Sequence, residues 1–191
     1  MQTIKATLSL LIVLCCGMAV SGQDFEEDEL PSGKLESEFL GIHLGCSLAE
    51  LKTAIQKPKF PIKFMKKSEE DGVTTYLFTG NHRLKGATGT AFSFWQGKLT
   101  MCGVYFKGED AESIYDALQK LATKKYGKTT DGIVFGGKKC QVIKGAMAIQ
   151  IEYESGVLEA GTTIIAAAHI GLNAAMEEKR IEDKADDLGD L

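Results

Sequence analysis

The chain has 191 residues, with 22 Lys and Arg against 26 Asp and Glu, a net charge of −4 and 44% hydrophobic residues. That composition excludes a largely disordered chain, a collagen-like repeat and a polytopic membrane protein. With 21 Gly against 3 Pro it leans towards strands and turns, and the length suits one domain or two small similar halves.

Residues 1–22 read as a cleaved export signal. Lys5 supplies a basic start, an apolar run follows, and Ala19-Val20-Ser21 places small residues for cleavage near positions 21–23. The run is too short to span about 30 Å of hydrocarbon as a helix. Cys15 and Cys16 follow bulky Val13 and Leu14, a poor setting for lipid attachment. The expectation is an exported chain, periplasmic or secreted, and not an integral membrane protein. Residues 23–38 hold seven acids and one Lys and read as a flexible acidic leader.

A single domain is expected over 39–171, with halves of about 39–107 and 108–171. It opens on a short strand at 39–42. Ser47-x-x-Glu50 is a capping box, in which each residue satisfies a free backbone N–H of the other at a helix start. Leu48, Leu51 and Ile55 continue at helical spacing until Pro58. Residues 62–66 read as a Lys-guarded edge strand behind Pro61, and 73–78 as another strand. Strands at 90–95 and 99–106 face each other across Gln96-Gly97, a two-residue turn with Gly where positive φ is wanted. Phe92 and Phe94 take one face of this hairpin and Ala91, Ser93 and Trp95 the other.

A helix over 109–126 carries an apolar stripe of Ile114, Ala117, Leu118, Leu121 and Ala122, with acids in its first turn and lysines in its last. Gly127 is its expected terminator. Strands near 133–135, 139–143, 146–153 and 162–169 follow, and 172–191 reads as an acidic tail that includes a frayed helix. The fold class expected is α+β: an antiparallel sheet with helices packed on one face, as a tandem helix-and-meander pseudo-repeat.

Residues 41–51, GIHLGCSLAEL, followed by Tyr76-Leu77-Phe78, Phe92-Ser93-Phe94 and Gly97-Lys98-Leu99, resemble the start of many small exported bacterial modules. They are similar to the small lipoprotein subunits of the outer-membrane β-barrel assembly machine and to the tandem modules of β-lactamase inhibitor proteins. The resemblance covers 39–106 best. It implies an antiparallel sheet with helices on one face, and a role in binding other proteins.

No Gly-rich phosphate loop or Gly-x-Ser-x-Gly elbow occurs, so no cofactor is expected. Three histidines, His43, His82 and His169, limit catalytic options, and His82 in the Gly-flanked loop 80–86 is the best placed for a site, against the reading of an exposed loop histidine. Glu152 and Glu154 share one strand face and read as solvated. The 57–67 segment interleaves five Lys with two Phe. Its Lys63, Lys66 and Lys67 are candidates for contact with anions, against the reading of a guarded edge. Trp95, Tyr105 and Tyr153 are candidate contacts because aromatic residues carry interface energy. Among Cys46, Cys102 and Cys140, either Cys102 bridges Cys140, which needs adjacent strands, or all three are buried thiols. The leading expectation is an exported, non-enzymatic module that binds another envelope or extracellular protein and no nucleic acid. The alternatives are a small-ligand or glycan binder, or a hydrolase.

Overall fold

The computed structural model describes residues 38–134, 137–155 and 160–189. The export signal and residues 23–37 of the acidic leader lie outside them. The architecture is α+β, as expected. A small hairpin, β1 (Glu38–Phe39) and β2 (Ile42–His43), leads into helix α1 (Leu48–Ala54). A four-strand meander follows: β3 (Ile62–Glu70), β4 (Val73–Gly80), β5 (Gly89–Trp95) and β6 (Lys98–Lys107). Helix α2 (Ala111–Tyr126) then precedes a second meander, β7 (Thr130–Val134), β8 (Gly137–Lys144), β9 (Met147–Glu154) and β10 (Thr162–His169), and helix α3 (Ile170–Gly189) closes the chain. The eight long strands form one antiparallel sheet in the order β3-β4-β5-β6-β10-β9-β8-β7. Each half is thus a helix and a meander, the halves meet where β6 pairs with β10, and β3 and β7 are the two edges.

Local chemistry fixes several of these elements. Ser47 caps α1 with the expected reciprocal bonds: its N–H donates to Glu50 Oε2 (2.8 Å) and its Oγ accepts from the Glu50 N–H (3.3 Å). Gln96 and Gly97 both take positive φ, +48° and +74°, the conformation that suits the twist of a two-residue hairpin. The expected strand over 39–42 is instead two short strands, because Leu40 and Gly41 both adopt positive φ and reverse the chain.

The core lies between one sheet face and helices α1 and α2. Phe92 and Phe94 of β5, Cys102, Val104 and Phe106 of β6, Ile165 and Ala167 of β10, and Ile149 and Ile151 of β9 meet Leu51 of α1 and Tyr115, Leu118 and Ala122 of α2. The stripe of α2 differs from expectation. Its buried residues are Ala111, Tyr115, Leu118 and Ala122, while Leu121 is 59% exposed. Positions 111, 115, 118 and 122 form one helical face, and Tyr115 fills it because its hydroxyl meets Cys140 on β8 while its ring is buried. The acidic C-terminal stretch is helical. In α3, Asn173 Nδ2 donates to Thr100 O (3.3 Å), Met176 is buried, and Arg180 bonds Glu177 (3.0 Å) and Asp71 at the β3–β4 turn. Helix α3 therefore spans one end of the first meander. Among the described residues, no helix is long and apolar enough to cross a membrane.

Candidate functional site

Two stretches that the sequence leaves far apart come together at one end of the sheet. The chain leaving α1 passes Pro58, Phe60 and Pro61 into β3. The loop leaving β4 runs from Asn81 to Ala87. Between them lies an open cleft of about 600 Å³, lined by Pro58, Phe60, Pro61, Ile62, Leu84 and Ala87, with Lys63 and Lys85 among its polar contributors. That volume is within the range of ligand-binding sites, about 300–1,000 Å³.

Asn81 holds the loop in shape. Its Oδ1 accepts from the Arg83 N–H (2.8 Å) and the Leu84 N–H (2.9 Å), and its Nδ2 donates to Thr90 Oγ1 (3.0 Å). Asparagine suits such turns because its short amide reaches backbone two and three residues ahead. Thr90 Oγ1 in turn donates to Gly80 O (2.6 Å). Gly80 sits at φ +70°, where a Cβ would run into the Pro61 carbonyl, so the wall formed by 58–61 can approach only glycine there. Lys59 N–H donates to His82 O (2.9 Å) and ties the two stretches together.

His82, expected as an open loop residue, is 1% exposed. Its Nε2 lies 3.0 Å from Leu40 O, so that nitrogen carries the proton, and Nδ1 is buried without a partner. Burial holds the imidazole below the usual histidine range, and the Arg83 charge acts in the same direction against the Leu40 bond. His82 is therefore a neutral strut between the β1–β2 turn and the loop, and it does not line the cleft. The sequence reading missed Asn81, whose signal was the Gly-Asn step after a strand.

Lys63, Lys66 and Lys67 are exposed on β3, with Lys57 and Lys59 before it and Lys85 across the cleft. Among the described residues, only Lys67 of these six has an acidic partner, Glu69 at 3.5 Å. Phe64 and Met65 on the same edge are 53% and 59% exposed. Phe64 still meets Phe78 edge-on, with centroids 5.6 Å apart.

The three candidate aromatics do not converge. Trp95 pairs with Lys98 and Tyr105 with Gly89, which sets them about 20 Å apart along β5 and β6. The Tyr105 ring lies over Gly103, and burial keeps its phenol protonated. Tyr153 packs against the core instead, beside Gly161. The Cys102–Cys140 bridge is absent: all three cysteines are free. Cys102 on β6 and Cys140 on β8 have β10 and β9 between them, a separation near 14 Å at sheet spacing, against about 7 Å at most for a disulfide.

Glu152, expected to be solvated, is 4% exposed and accepts from Gln150 Nε2 (3.1 Å). Burial pushes its carboxyl above the usual range, reinforced by the Glu154 charge and opposed by the Gln150 bond and Lys139. Among the described residues no group of three or more His, Cys, Asp or Glu is placed to hold a metal ion. No protein-family model, no curated protein and no solved structure matches the chain.

Proposed function

We propose that the chain is an exported, non-enzymatic module that binds another envelope or extracellular protein through the cleft and the exposed flank of β3. The observation that carries this reading is an apolar cleft with Lys63 and Lys85 in its lining and Lys57, Lys59 and Lys66 in the adjoining 57–67 segment, all five without acidic partners among the described residues. Exposed apolar surface is costly to leave in water, and unpaired lysines beside it can meet the charges of a complementary partner. The export-signal pattern of residues 1–22 and the resemblance of 39–106 to exported protein-binding modules support the same reading. His82 is buried and does not line the cleft, so it is not placed to act there as a general base.

The test is cellular. The tagged full chain is expressed with its own N-terminus in a bacterial host, cross-linked, and compared with Lys63→Glu/Lys85→Glu. A stoichiometric exported protein captured by the parent and lost in the double variant is the expected result. Equal capture by both would move the contact off the cleft, and no protein capture with binding of a small molecule would replace the proposal.

A further inference from the structure

The cleft has a chemistry specific enough to describe its occupant. Its lining is mostly apolar, from Pro58, Phe60, Pro61, Ile62, Leu84 and Ala87; Lys63 and Lys85 also line it, and Lys59 Nζ lies over the Phe60 ring, 5.5 Å from its centroid. Building on the protein-binding reading above, we infer that the cleft takes an extended acidic segment of another protein, which seats one bulky apolar side chain on the lining while flanking carboxylates meet Lys59, Lys63 and Lys85.

Three observations select this occupant. First, the charge is one-sided: Lys57, Lys59, Lys63, Lys66 and Lys85 make no ion pair among the described residues, so the complement is anionic. Like-charged lysines also repel a second copy of the same edge. Second, a polyanion read through charge alone, such as a sulfated glycan or a nucleic acid, would meet the lysines and leave the apolar lining in water. A peptide with an anchor residue uses both, which is how a few buried side chains come to dominate an interface. Third, strand addition along β3 is disfavoured. The strand carries a bulge between Phe64 and Lys66, and bulges and lysines are the means by which edge strands resist further pairing. Recognition then runs through side chains at the cleft end, where the edge gives way to the Pro58–Pro61 wall.

The experiment uses the full-length protein and a fluorescein-labelled, end-capped twelve-residue peptide of Glu and Asp around a central Phe, read by anisotropy. Circular dichroism confirms that each variant is folded. The expected result is saturable binding, weakened about tenfold or more by Lys63→Glu/Lys85→Glu, by replacing the central Phe with Ser, and by raising salt from 50 to 500 mM, since exposed charges are screened within a few ångströms at high salt. N-methylation of the peptide backbone should change affinity less than twofold. Four results would overturn the inference: no binding, indifference to the Phe→Ser change, a large loss on N-methylation, or tighter cleft-dependent binding of heparin or anionic vesicles. The protein-binding reading is judged separately in the cellular capture. A partner lost in the double variant but lacking any acidic segment with an apolar anchor would sink this inference and leave that reading standing.

Discussion

Replacing Asn81 with Ala is the sharpest probe of how the cleft is built. The residue is 1% exposed and its amide makes three hydrogen bonds, two from the loop backbone at 2.8 and 2.9 Å and one to Thr90 at 3.0 Å. Each such bond contributes about 0.5–1.5 kcal/mol net. The Arg83 N–H sits in an exposed residue and can turn to water, while Thr90 keeps its bond to Gly80 O. The loss is therefore less than the full sum, and we expect about 2–3 kcal/mol. For a chain of this size that corresponds to a fall in Tm of roughly 4–12 °C. Urea titration followed by circular dichroism gives the free energy, and the anisotropy assay gives the effect on the cleft, where affinity should fall because Leu84 and Lys85 lose their fixed positions. A cost below about 1 kcal/mol with unchanged peptide binding would refute the view that Asn81 holds the loop.

Other expectations follow from the same geometry. Gly80→Ala forces a side chain into the Pro61 carbonyl at positive φ and should cost at least about 1–2 kcal/mol by urea unfolding; a neutral result would show that the 58–61 wall can retreat. Burial lowers the folded-state affinity of His82 and His169 for protons, so the unfolded chain, with histidine near pH 6.5, binds more protons in acid. Their contribution to stability is complete above about pH 7 and falls as pH drops below about 6.5, by up to roughly 1.4 kcal/mol per pH unit for each. His82→Gln should remove its share of that slope, and an unchanged slope would contradict the assignment. Glu152 has the opposite sign, because its raised carboxyl favours the protonated folded state and its stability contribution is lost as pH rises through the folded value. Glu152→Gln should therefore raise stability at pH 7 by about 1 kcal/mol, and a destabilised variant would show that the carboxylate is needed. Alkylation followed by mass spectrometry should find Cys102 and Cys140 as protected thiols that react only on unfolding; a peptide linking the two would contradict the strand order.

What could be read from the sequence was local. Ser47 and Glu50 are three residues apart and cap α1 wherever it packs, and Gln96-Gly97 turns its own hairpin. The alternation of Phe92 and Phe94 against Ala91 and Ser93 separated the two faces of β5, and the Phe face is the one that meets the helices. The misreadings are non-local. The stripe of α2 depended on Cys140 across the sheet, which lets Tyr115 replace Leu121 in the buried face. Leu40 carries no turn signal, because a leucine at positive φ is tolerated only within the finished hairpin. The choice between a Cys102–Cys140 bridge and free thiols, left open by the sequence, required knowing that the second meander returns through β10, which puts two strands between them. The cleft itself joins 58–63 to 81–87, and no spacing rule connects a Lys-rich strand to a loop after the next strand. His82 was expected to be accessible and is buried, and its ring nitrogen meets Leu40 O, 42 residues away in sequence.

The central claim is that this molecule meets its partner at the cleft. The most direct measurement places a photo-crosslinking residue, one at a time, at Phe60 and Lys85 on the cleft and at Ile143 and Leu121 away from it, in the full chain expressed in cells. The account predicts that Phe60 and Lys85 both label the same protein, at an acidic stretch, while Ile143 and Leu121 label none of it. Labelling of a partner from Ile143 or Leu121, with Phe60 and Lys85 silent, would contradict it.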